Sequence, residues 1–70
     1  MMQNLETIFQ YHSPREDQLP KYSAIREAAH QYAKTVLENT PKCADQTAAI
    51  RKIRESMMTA NAAIALDGIC

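Results

Sequence analysis

Two short stretches of this chain carry side chains equipped for chemistry: Tyr11-His12-Ser13-Pro14 and Tyr22-x-x-Ile25-Arg26. An aromatic ring stacks on a nucleobase, an interaction valued elsewhere at roughly 1–3 kcal/mol per base. An imidazole adds a directional hydrogen bond, and a guanidinium fork donates two hydrogen bonds to a phosphate. Each residue also has a plainer use. Tyr11 can pack its ring against helices with the hydroxyl in water. Arg26, one position after Ile25 and so at the edge of an apolar stripe, can snorkel over that stripe. Lys21 and Tyr22 stand about one helical turn before Arg26, which makes a small cationic and aromatic patch.

Other chemistries have less to work with. The carboxylates Glu6, Glu16, Asp17, Glu27, Glu38, Asp45, Glu55 and Asp67 are scattered over helix faces and first turns, where solvation explains them. Cys43 and His30 are a nucleophile and a base, but their spacing does not single them out. No Cys or His spacing suits a metal, and the only glycine, Gly68, excludes a glycine-rich phosphate loop. No catalytic residue, metal site or cofactor is therefore expected. Arg51, Lys52 and Arg54 form a basic run whose ordinary role is a solvated face. In a symmetric assembly such arginines can instead converge on an anion. Asn61, within an alanine-rich segment, either bridges helices or faces a ligand.

The positioning elements must be few, because 70 residues make one small domain, 1–70, that buries little of its surface. Small domains compensate with disulfides, a metal or self-association. Cys43 lies mid-chain and Cys70 ends the sequence, so pairing is not expected, and self-association remains. Eight basic and eight acidic side chains cancel, which disfavours duplex nucleic acid as a partner but permits a small phosphate-bearing ligand. No apolar run approaches the roughly 20 residues of a membrane span. Residues 1–6 lack the basic and apolar blocks of a signal peptide, so a cytosolic location with reduced thiols is expected.

The fold class expected is all-α. Helices are predicted at about residues 3–10, 18–39 and 44–66, the last two forming an antiparallel hairpin. Asp17 is the expected N-cap of the second helix, with Pro20 in its first turn; Ser13 offers an alternative, earlier start. The buried stripe of that helix is predicted at residues 22, 25, 29, 32 and 36, and that of the third at 50, 53, 57, 60 and 64. Pro41 follows the turn, Cys43 with Gln46 imitates a capping box, and Gly68 is the stop. Leu37, Ala49, Met58, Ala62, Ala63 and Ala65 add apolar surface beyond these stripes. Together with 11 alanines that permit close helix approach, they predict a homo-oligomer.

Phe9-x-Tyr11-His12-x-Pro14, Gln18, Tyr22-x-x-Ile25-Arg26, Pro41, Ala49-Ile50 and Met58-x-Ala60-Asn61-Ala62-Ala63-Ile64-Ala65, in that order, resemble a phage family. These are the small helical-hairpin proteins called anti-CBASS sponges, which counter cyclic-oligonucleotide signalling in bacteria. They share their hairpin domain with anti-Thoeris sponges, which sequester a cyclic ADP-ribose isomer. The resemblance spans about residue 8 to residue 65.

What the resemblance implies is a non-enzymatic sponge in the cytoplasm of an infected bacterial host, built as a homohexamer, a dimer of trimers. Its ligands would be cyclic dinucleotides such as 3',3'-cyclic GMP-AMP, bound between protomers. Tyr11 would stack on a base, Arg26 would hold phosphate, His12 would assist, Pro14 would shape the wall and Tyr22 would stand beside Arg26. A second site for an anion or a cyclic trinucleotide, on the three-fold axis, would involve Asn61 and Ala65. Relatives often carry a basic residue after the Ile-Ala pair, whereas this chain reads Leu66-Asp67. The rival readings are a cyclic ADP-ribose isomer as ligand, a helical module that inhibits a host protein, and a small DNA-binding regulator.

Overall fold

The apolar spacing of residues 22–36 and 50–64 becomes two long helices. The structure is a computed structural model that describes residues 5–68, and every regular element among them is helical. A short helix, α1, spans Leu5–Phe9; a 3₁₀ turn spans Glu16–Gln18; α2 runs Leu19–Asn39 and α3 runs Ala44–Leu66. The predicted first helix is thus shorter: Gln10 leaves it, donating its amide to the Thr7 carbonyl at 3.3 Å, and positions 3 and 4 lie outside the described residues.

Four residues turn the chain between α2 and α3. Thr40 stops α2 by adopting extended torsions while its hydroxyl donates to the Val36 carbonyl at 2.7 Å. Pro41 then prevents resumption of the helix, since the residue before a proline is driven out of the α region. The helices return antiparallel: the Gln18 side chain, just before α2, bonds the Ile64 carbonyl near the end of α3 at 2.9 Å.

Of the two predicted caps, Asp17 is corrected and Cys43 keeps its position without a side-chain bond. Asp17 lies inside the 3₁₀ turn, and the turn begins at Arg15, whose amide is taken by the Gln18 side chain at 2.9 Å. Ser13 does not start a helix either. The reason is Gln18: its amide reaches both backward to Arg15 and across to α3, which fixes the turn one residue beyond Asp17's capping register. Cys43 is the N-cap residue of α3 but makes no side-chain cap bond. Gln46 does not complete a box with it; its amide donates instead to the Thr40 carbonyl and hydroxyl, each at 3.1 Å. At the other end Asp67 takes left-handed torsions, φ 49° and ψ 47°, followed by Gly68 at φ 89°.

One stripe position also moves. Tyr32 is 62% exposed, and Ala33 is half-buried instead. Steps of three and four from Ala29 reach both residues, and the small side chain is the one that suits close helix contact. On α3 every predicted stripe residue is buried or half-buried. The core is nonetheless thin: among described residues only Ile53 and Leu66 are buried apolar side chains, each still 9% exposed.

The protomer is also extended. Its accessible surface is 5861 Å², whereas a compact monomer of this size exposes about 4,400 Å². Its radius of gyration is 14.8 Å, against about 11 Å for a compact domain of this length. Leu5, Phe9, Leu19, Leu37 and Met58 contribute large exposed apolar surface.

Candidate functional site

The segment from Gln10 to Arg15 is a non-helical strap between α1 and the hairpin. Ser13-Pro14 keeps it extended. His12 is half-buried, with Nε2 2.6 Å from the Thr7 carbonyl. A carbonyl only accepts, so Nε2 carries a proton in this contact. Tyr11 beside it is 81% exposed, and Pro14 is exposed too. The strap therefore turns His12 inward and holds the Tyr11 ring in solvent.

Arg26 is exposed near the start of α2, one turn after half-buried Tyr22, which the i, i+4 spacing places on the same side. No hydrogen bond or ion pair between described residues engages the Arg26 guanidinium. The same is true of the Tyr11 hydroxyl. Tyr11 and Arg26 are thus presented from separate elements, the strap and α2, and no bond within the protomer joins them.

Three concave surfaces among the described residues lie elsewhere. One groove, lined by Ile25, Ala29, Tyr32, Ile53 and Met57 among others, follows the α2–α3 seam. A second, of about 340 Å³, lies at the hairpin tip among Leu37, Gln46, Thr47, Ile50, Arg51 and Arg54. A third runs along α3 from Ala44 to Glu55 past Arg51 and Lys52. None of these three is lined by Tyr11, His12, Pro14, Tyr22 or Arg26.

Asn61 and Ala65 are half-buried on α3. The Asn61 Oδ1 is buried and accepts no hydrogen bond within the protomer. The neighbouring negative charge is committed: Asp67 faces Arg15 at 3.6 Å, and Arg15 also pairs with Asp17 at 3.3 Å. Among the described residues no group of three or more His, Cys, Asp and Glu gathers as a metal site. No described helix is long and apolar enough to cross a membrane. Cys43 is a free, exposed thiol, and Cys70 lies outside the described residues.

Reasoning from the sequence named Gln18, which is only 4% exposed, in the family pattern but gave it no role, and it missed the Arg15–Asp67 pair. The available signal was a glutamine three residues after Arg15 at a helix start, the half of a capping box that reaches back.

Two comparisons with known proteins, one with curated proteins and one with solved structures, give no match. A third gives one: the family model described as Acb2/Tad1, hairpin domain, matches residues 1–65.

Proposed function

The chain belongs to the Acb2/Tad1 hairpin-domain family, that of the anti-CBASS and anti-Thoeris sponges, and from that premise we propose that it sequesters cyclic dinucleotides during phage infection. It binds the messenger, leaves it uncleaved and so withholds it from the effector in the cytoplasm of the infected bacterium. The observation that carries this reading is the pair of unengaged groups, an exposed Tyr11 ring and an exposed Arg26 guanidinium with no partner among the described residues. A ligand with flat bases and phosphates satisfies both.

Tyr11 stacks on a base and Arg26 forks a phosphate. Tyr22 flanks Arg26, Pro14 shapes the wall, and His12 assists through its second ring nitrogen, Nδ1. The pocket closes between protomers of a homohexamer, a dimer of trimers, where the strap of one copy meets α2 of another. The excess surface of the lone protomer and its exposed Phe9, Leu37 and Met58 support assembly. Asn61 and Ala65 mark a second site, for a cyclic trinucleotide or another anion; the unmatched Asn61 Oδ1 accepts from a base N–H or a ribose hydroxyl, and a phosphate accepts from the side-chain N–H instead. Zero net charge speaks against duplex nucleic acid.

A cyclic ADP-ribose isomer is the second ligand class, because the matched family joins both sponge types. It carries the same adenine and phosphate chemistry. Calorimetry with a panel of cyclic dinucleotides, cyclic trinucleotides and cyclic ADP-ribose isomers separates the classes. Tyr11→Ala and Arg26→Ala are expected to abolish dinucleotide binding while leaving the assembly intact, and wild-type affinity in either variant sinks the site. Intact ligand recovered after denaturing the complex identifies a sponge; cleaved ligand identifies a hydrolase.

A further inference from the structure

Among the hydrogen bonds between described residues, the one made by Gln18 stands apart. The other side-chain bonds join residues no more than six positions apart, whereas Gln18 Nε2 donates across 46 positions to the Ile64 carbonyl at 2.9 Å. The same amide accepts the Arg15 N–H through Oε1, also at 2.9 Å. Gln18 is the one buried polar side chain among the described residues.

Its two bonds meet two needs. The Ile64 carbonyl sits in the last turn of α3, where carbonyls lack a full complement of helical donors. The Arg15 N–H is the donor at the foot of the strap. One amide therefore ties the strap to the open end of the hairpin, and the exposed Arg15–Asp67 pair lies alongside.

We infer that Gln18 is a latch and positioning residue: its amide docks the 11–15 strap onto the hairpin and so sets the pose in which Tyr11 meets its ligand. The second half of this inference rests on the sponge reading; the first does not. An undocked strap lowers apparent affinity by the fraction of molecules in which it is docked. Loss of the latch does not leave the Ile64 carbonyl unpaired, because it keeps the Asp67 N–H at 3.2 Å.

Gln18→Met keeps the length and apolar bulk but removes both bonds. Gln18→Glu keeps the acceptor, and regains the donor only when its carboxyl is protonated. The charged and titratable groups nearest that position are Arg15, Glu16 and Asp17 on its own segment, Lys21 and Tyr22 one turn on in α2, and Asp67, which pairs with Arg15 beyond α3. Dividing by wild-type affinity at each pH removes the effect of their own titration on binding and leaves that of the new carboxyl.

Amide hydrogen exchange is the ligand-free test. Gln18→Met is expected to speed exchange at Arg15 and leave Ile53 unchanged, and an unchanged Arg15 overturns the latch. Titration with 3',3'-cyclic GMP-AMP is the second test, with Gln18→Met binding on the order of tenfold more weakly than wild type. Equal affinity despite faster exchange overturns the positioning role. For Gln18→Glu the ratio to wild type recovers as pH falls from about 8 to about 5, where a buried carboxyl regains its proton. A flat ratio that tracks Gln18→Met means that only bulk matters at this position, and overturns the role. If Gln18→Met fails to fold, Gln18→Glu at low pH still decides. If wild type binds none of the nucleotides, the sponge reading falls, and exchange alone judges the latch.

Discussion

At Arg26 the shape of the cation matters as much as its charge. A guanidinium presents a planar fork that holds two phosphate oxygens at once, whereas a lysine ammonium is a point charge on a flexible stem. Arg26→Lys is therefore expected to bind a cyclic dinucleotide about tenfold more weakly than wild type, yet more tightly than Arg26→Ala. Calorimetry checks the order, and a lysine variant equal to wild type shows that a single contact suffices. The exposure of Arg26 was legible in the sequence, because it follows Ile25 and so falls off the apolar stripe. The inward turn of His12 was not. It depends on where the Thr7 carbonyl lies after α1 ends, a backbone event that no side-chain pattern records. Tyr32 shows the same limit differently: periodicity permits it or Ala33 in the seam, and packing chooses the alanine.

Among the elements, α3 begins with an unused opportunity. Cys43 has the extended torsions of an N-cap, φ −165° and ψ 174°, but its side chain caps nothing. A hydroxyl there accepts from the amides of the first turn far better than a thiol, and such caps contribute about 0.5–2 kcal/mol. Cys43→Ser is expected to raise stability by about 0.5–1 kcal/mol, read as a higher denaturation midpoint with the slope unchanged. A lower midpoint means that the thiol contributes packing instead. The lengths of α2 and α3 and the turn at Pro41 were readable, because long periodic runs and a proline are local signals. The start of α2 was not local. It is set by Gln18 meeting Ile64 at the far end of the chain, so a nearby Asp17 made a plausible cap that the fold does not use.

For the molecule as a whole, the shortage of core decides the state in solution. Ile53 and Leu66 are the only buried apolar side chains among the described residues, and neither is fully enclosed. A domain of this size with so little enclosed surface is marginal alone. Meanwhile Leu5, Phe9, Leu19 and Met58 remain open on its outside. In the proposed assembly other copies cover them, supply the missing burial and bring the strap of one protomer to α2 of the next. The stability of such an assembly is expected to depend on concentration, because association and folding are then linked. Each tenfold dilution is expected to remove on the order of 1 kcal/mol per protomer, or roughly 5 °C of Tm. Native mass spectrometry on the same samples should give a six-fold mass. A monomer mass with a Tm that ignores dilution would show that the hairpin stands alone, and Tyr11 and Arg26 would then have to form the site within one chain.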